Sequence, residues 1–159
     1  MSDESTDAPA PDRVERVSRL VPATRQQIFD LLADPSKHPT FDGSGTVRQS
    51  GGDVPERLSM GAKFGMSMKM GVPYKITNEV VEFDEPSLIA WRHMGGHIWR
   101  YRLEEAEGGT MVTEEFDWRP SRGPAVLKLM KVPERNTKAM EATLDRLVER
   151  FSSGADDSQ

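Results

Sequence analysis

Cysteine is absent from the 159-residue chain, which excludes a disulfide framework, a zinc ribbon, an iron–sulfur cluster and a thiol nucleophile. Histidine is scarce as well: His38, His93 and His97 supply all of the imidazole chemistry. No apolar run approaches the ~20 residues that a bilayer-crossing helix needs, so no transmembrane segment is expected. The first residues, Met1 to Asp7, are acidic and polar where a secretory signal is basic and then apolar, so a cytoplasmic protein is expected. Basic excess is missing too. The net charge of −5 resides in the termini, because Asp3, Glu4, Asp7, Asp12, Asp156 and Asp157 lie outside the span that holds all 21 lysines and arginines. The near-neutral remainder offers no electrostatic footprint for a phosphate backbone, which argues against a nucleic-acid partner. Residues 1–12 and 152–159, rich in Ser, Asp, Ala and Pro, are expected to be disordered tails flanking one domain over 13–151.

What is present is an orderly series of periodic segments. Val14 to Val21 alternates as a short strand ended by Pro22. Thr24 to Gln27 spells a capping box, and Ile28, Phe29, Leu31 and Leu32 continue it as a helix that Asp34-Pro35 interrupts. A second short helical stretch is expected over 35–42. Gly43-Ser44-Gly45 resembles a phosphate loop only superficially, since Arg48 occupies the third glycine position and no strand precedes the glycines. Six further strands are expected at about 46–50, 62–70, 74–83, 87–94, 97–105 and 110–118, separated by glycine and proline turns and therefore antiparallel. Ala125 to Met130 allows one or two helical turns. From Pro133 onward, Met140, Leu144, Leu147 and Phe151 recur at helical spacing, which predicts a long amphipathic C-terminal helix.

This α+β order, one strand, two short helices, six antiparallel strands and a long helix, resembles the START-like superfamily, also called Bet v 1-like, SRPBCC or helix-grip. Within it the chain is similar to the polyketide cyclase/dehydrase and lipid-transport branch. The likeness rests on Pro22-Ala23-Thr24 leading into Ile28-Phe29, on Asp34-Pro35 with His38-Pro39, on Leu88 to Trp91, on Gly108-Gly109-Thr110 before Val112-Thr113, and on Thr143-Leu144 with Leu147. The resemblance implies a seven-stranded curved sheet wrapped around the last helix, with a cavity between them for sterols, lipids, polyketides or other apolar molecules. Only some members are enzymes.

Alternation assigns residues to that cavity, because side chains two apart on a strand share a face. Phe64, Met66, Met68 and Met70 oppose Lys63, Gly65, Ser67 and Lys69, so the methionine side is the inner one. Methionine is loose and adaptable, which suits a ligand surface as well as simple filling beneath a helix. Over 74–83 two sets compete, Tyr74, Ile76, Asn78 and Val80 against Thr77, Val81 and Phe83, and the first is preferred. A three-residue turn, Met94-Gly95-Gly96, is preferred to a two-residue Gly-Gly turn because it places His93 opposite His97, Trp91 opposite Trp99 and Ile89 opposite Tyr101. Arg92, Arg100 and Arg102 then share the outer face, where charge pairs on solvent with Lys63, Lys69, Glu79 and Glu115 are expected. On the next strand Val112, Glu114, Phe116 and Trp118 point inward.

The expected ligand set is therefore Phe64, Met66, Met68, Met70, Tyr74, Trp91, His93, His97, Trp99, Tyr101, Glu114, Phe116 and Met140, with a small apolar molecule as partner. His97, Glu114 and Tyr101 are also candidate acid–base groups for the cyclisation or dehydration chemistry that the resemblance allows. Mere orientation of a ligand is the preferred role for them, with catalysis as the alternative. A collapsed interior with an interaction surface on the outer face is the third reading. Two histidines and a carboxylate form one type of metal set, but the 93, 97 and 114 spacing matches no recognised motif, and no metal or cofactor is expected. His38 reads as a surface or capping residue.

Overall fold

Thr24 caps the first helix as its sequence requires. Its hydroxyl accepts from Gln27 N–H at 3.1 Å, and the Gln27 side chain accepts from Thr24 N–H at 2.9 Å. The computed structural model describes residues 13–43, 47–51, 55–70 and 72–153, with the side chains of 47–51, 66–70 and 72–75 outside that description. Strand β1 (Val14–Val21) leads into helix α1 (Arg25–Leu32), a 3₁₀ turn (Pro35–Lys37) and the four-residue helix α2 (His38–Phe41). Strands β2 (Val47–Gly51), β3 (Lys63–Met70), β4 (Val72–Asp84), β5 (Leu88–His93), β6 (Ile98–Ala106) and β7 (Gly109–Asp117) follow. Helices α3 (Pro124–Leu129) and α4 (Val132–Ser152) complete the chain. Of the expected tails, residues 1–12 and 154–159 lie outside the described residues.

The seven strands form one antiparallel sheet in the order β1-β7-β6-β5-β4-β3-β2. The β1–β7 pairing, Val14 with Asp117 through Val21 with Thr110, brings the first strand against the last. Helix α4 lies against β1 and β7, and its stripe of Met140, Thr143, Leu144 and Leu147 is buried there. The core sits between this stripe, Ile28, Phe29 and Leu32 of α1, and the inner face of the sheet. Fully burying each of the larger apolar side chains contributes about 1.5–3 kcal/mol.

Two local departures have simple causes. Strand β4 starts at Val72, so Pro73 lies within the strand and not in a turn. Among the described residues the β5 partners of β4 begin only at Asn78, so Pro73 lies in a stretch paired on its β3 side alone, where strands tolerate an imino residue. A bulge between Val80 and Glu82 then shifts the register. Ile76, Asn78 and Val80 are buried before it, and beyond it Phe83 packs edge-on against Phe29 with centroids 5.4 Å apart. The two competing faces of this strand are thus each correct for one half, because an extra residue exchanges inner and outer positions.

Candidate functional site

The β5–β6 hairpin carries most of the site. Its register pairs Ile89 with Tyr101 and Trp91 with Trp99, and His93 N–H donates to the His97 carbonyl at 2.8 Å. The three-residue turn Met94-Gly95-Gly96 is therefore present. It needs glycine at 96, where φ is +105° and an added Cβ would stand 2.7 Å from the Pro120 carbonyl oxygen. The His93 and His97 rings stack with centroids 4.3 Å apart, and Phe116 touches both His97 and Trp99, at 5.0 and 4.9 Å. His93, His97 and Trp99 are half-buried, whereas Trp91, Tyr101 and Phe116 beside them are buried. Burial lowers the pKa of His93, and burial together with the neighbouring His93 takes His97 down to about 3. Both imidazoles are neutral at physiological pH.

One step further along the same face, Tyr101 and Glu114 are directly paired in register, and the tyrosine hydroxyl donates to Glu114 Oε2 at 2.9 Å. Both are buried, and among the described residues Glu114 Oε1 has no hydrogen-bond partner. Burial raises the Glu114 pKa to about 8 against the lowering effect of the tyrosine bond, with the charge of Asp42 adding to the rise. Burial, followed by Glu114 itself, pushes Tyr101 well upward. At neutral pH the pair is a carboxylic acid and a phenol, able to offer a proton to a ligand oxygen from Oε1. Asn78 is another buried polar group of this face, and its Oδ1 also has no partner among the described residues.

The remaining expected site residues divide cleanly. Phe64 and Met140 are buried in the core, with Phe64 edge-on to Trp91 at 5.5 Å. Met66, Met68, Met70 and Tyr74 lie outside the residues whose side chains are described. Glu114 does not join the histidine pair: it stands opposite Tyr101, whereas His97 lies beyond the Ile98–Asp117 pairing. Among the described residues no group of three or more His, Cys, Asp and Glu is arranged to hold a metal ion. An open cleft of about 510 Å³ lies at the opposite end of β6, over Pro22–Arg25 and Glu105–Thr110, away from the aromatic ladder.

Two expectations are overturned. His38 is 4% exposed, so the surface half of its expected role fails, while the capping half holds, since it ends the 3₁₀ turn and its ring meets the last carbonyl of α1. Its ring stacks on Trp91 at 5.1 Å and contacts Phe41 and Phe64, while Nε2 lies 2.9 Å from the Leu32 carbonyl. A carbonyl only accepts, so Nε2 carries the proton, and burial lowers the pKa to about 4. Phe41, three residues on and sharing the helical face, was the available signal. On the outer face Arg100 and Glu115 are not solvent pairs but buried ones. Arg100 spans both Glu82 oxygens at 2.8 Å, Glu115 at 2.8 Å and Asp117 at 3.3 Å. Exposed Arg16, Arg102 and Arg119 close over the two buried acids at 2.9, 3.1 and 2.7 Å. Burial opposes ionisation of Glu115, but the hydrogen bonds from Arg100, Arg16 and Arg102 outweigh it and lower its pKa. Arg92, Lys63 and Glu79 are exposed as expected.

Residues 14–152 match the family described as polyketide cyclase/dehydrase and lipid transport. The chain belongs to that family. It is accordingly an SRPBCC-type domain, and the helix-grip arrangement of sheet and long helix is the family's expected one. The uncharacterized protein Rv0088 of Mycobacterium tuberculosis is 37% identical over 150 residues, which cover 91% of this chain and 66% of the relative. This family member thus spans just under two thirds of the length of that curated relative. Solved structures of similar fold include a Rhodobacter sphaeroides protein, with TM-score 0.70, 16% identity and coverage of 92% of this chain and 96% of that one. An AHSA1-like protein from Aeromonas hydrophila has TM-score 0.63, 16% identity and coverage of 92% and 97%. At these identities the likeness concerns fold alone. Among the described residues of this family member, no helix is long and apolar enough to cross a membrane.

Proposed function

We propose that this cytoplasmic family member holds a small hydrophobic or aromatic molecule between its sheet and α4, with Glu114 as the polar handle. The observation that carries the reading is Glu114 Oε1, a buried carboxyl oxygen with no partner among the described residues, in an apolar, aromatic setting. Such an orphan costs about 1–3 kcal/mol, and a ligand oxygen that bonds to it recovers part of that cost. The half-buried Trp99 supports an aromatic or flat apolar ligand, since its indole stands over Phe116 and still has open surface. The family description, with lipid transport in it, supports the same ligand class.

Titration of apolar fluorophores and lipids tests the reading with the native chain, Trp99→Ala and Glu114→Gln. The expected result is saturable binding that weakens at least tenfold in Trp99→Ala, and a preference for oxygen-bearing ligands that Glu114→Gln reduces. Equal, weak binding by all three proteins overturns it.

A second reading, a cyclase or dehydratase, draws on the Glu114 pKa near 8, which keeps a proton available at neutral pH for a substrate carbonyl. His97, neutral and poorly basic at about 3, is the weaker acid–base candidate. Turnover retained after Glu114→Gln eliminates that reading.

A further inference from the structure

Helix α3 buries none of its side chains fully. Leu127 alone leans on the core, while Val126 and Leu129 on its other side are 57% and 82% exposed, and Met130 after it is 60% exposed. Met94, at the tip of the β5–β6 turn, is 57% exposed and adjoins the same segment, because the Arg122 guanidinium donates to the Met94 carbonyl at 3.3 Å. Four of the six exposed large apolar side chains found among the described residues thus gather at one end of the molecule. Scattered apolar side chains need no explanation, whereas a gathered group marks a contact surface.

The charge around this group is one-sided. Ser121 to Lys138 holds Arg122, Lys128, Lys131, Arg135 and Lys138 against the single acid Glu134, in a chain whose net charge is −5. All five cations are exposed, and among the described residues none is in an ion pair. Elsewhere the structure spends its arginines on acids, as the Arg16, Arg100, Arg102 and Arg119 contacts illustrate. Lys131, with φ of +59°, turns the chain sharply from α3 into α4 and so holds the short helix out as a ledge.

We infer that α3, Met94 and the surrounding cations form a docking surface for an anionic lipid bilayer. Aliphatic and methionine side chains at the tip, lysines on the flank that reach past them, and no acid in α3 fit an interfacial helix that sinks a few side chains below phosphate groups. A protein partner fits less well, because protein interfaces are depleted in lysine and centred on Trp, Tyr and Arg. The surface lies at the same end of the sheet as the half-buried His93, His97 and Trp99. It stands independently of what Glu114 binds.

Co-sedimentation of the full chain with vesicles tests this, using phosphatidylcholine alone and phosphatidylcholine with phosphatidylserine, each at low and high salt. Each cation near such a surface contributes about fivefold to partitioning, so the anionic vesicles should take up at least ~25-fold more protein than neutral ones at low salt, and high salt should abolish the difference. A Val126→Ser/Leu129→Ser/Met130→Ser variant and a Lys128→Glu/Arg135→Glu variant should each lose at least ~tenfold in partitioning. Their thermal midpoints should stay at the native value, since the altered side chains are exposed. Absence of uptake, equal uptake by neutral vesicles, or uptake unchanged in both variants overturns the inference. A dimer in solution that the apolar variant dissolves, without vesicle uptake, assigns the face to a second copy and overturns it as well.

Discussion

The Tyr101 hydroxyl donates to Glu114 Oε2 at 2.9 Å across a directly paired position of β6 and β7, and Oε1 of the same carboxyl is buried and unmatched among the described residues. One neutral hydrogen bond does not offset removal of the carboxylate from water, so the acid keeps its proton to about pH 8. In the unfolded chain it ionises near 4.5. Between these values the native state binds the extra proton, so this contribution to stability is complete below about 4.5 and is lost as pH rises through 8. From pH 6.5 upward the histidines, half protonated at 6.5 in the unfolded chain, oppose this slope, but they do so equally in the native protein and in Glu114→Gln. Relative to Glu114→Gln, the native protein should lose about 1.5 kcal/mol between pH 6.5 and 8. Urea unfolding of both proteins across that range checks this.

His38 works in the opposite direction at lower pH. Its native pKa of about 4 lies below the ordinary 6.5, so the unfolded chain binds more protons and stability falls as pH drops from 6.5 to 4. His97, at about 3, adds to the same slope. A His38→Phe variant keeps a ring over Trp91 and should lose up to one proton's worth of this dependence, about 1.4 kcal/mol per pH unit. Thermal midpoints at pH 4.5, 5.5 and 6.5 provide the comparison. An unchanged slope would mean that His38 titrates normally.

Arg100 is the sole neutralising group that is itself buried between Glu115 and Asp117 among the described residues. Arg100→Ala leaves two buried carboxylates held only by exposed arginines, and should cost about 3–5 kcal/mol in chemical denaturation. Arg100→Lys should recover only part of this, because an ammonium cannot span both Glu82 oxygens and reach Glu115 together. Full recovery by lysine would show that charge alone suffices.

Glycine at 96 meets two demands and glycine at 61 only one. Gly61 has φ of +83° with nothing among the described residues within 4 Å of an added Cβ, whereas at Gly96 that atom would meet the Pro120 carbonyl oxygen at 2.7 Å. Gly61→Ala should therefore cost about 1 kcal/mol and Gly96→Ala at least about 2. The latter should also disturb the His93–His97 stack, which histidine ring NMR signals report.

The amino-acid sequence by itself determined whatever depends on neighbours along the chain. The Thr24 capping box, the helical spacing of Met140, Leu144 and Leu147, and the two-residue alternation of β5, β6 and β7 are local. They suffice for the order of elements, for the register that sets Trp91 against Trp99, and for Glu114 on the inner face. Only the tertiary structure decided what depends on segments meeting from afar. His38 is buried because Trp91 and Phe64 arrive from other strands, and Arg100 is buried because Glu82, Glu115 and Asp117 converge on an outer face that alternation assigns to water. The bulge in β4 and the orphan oxygen of Glu114 belong to the same class. Desolvation and polar pairing are sums over every group within a few ångströms, and periodicity specifies a direction for a side chain but not what awaits it there.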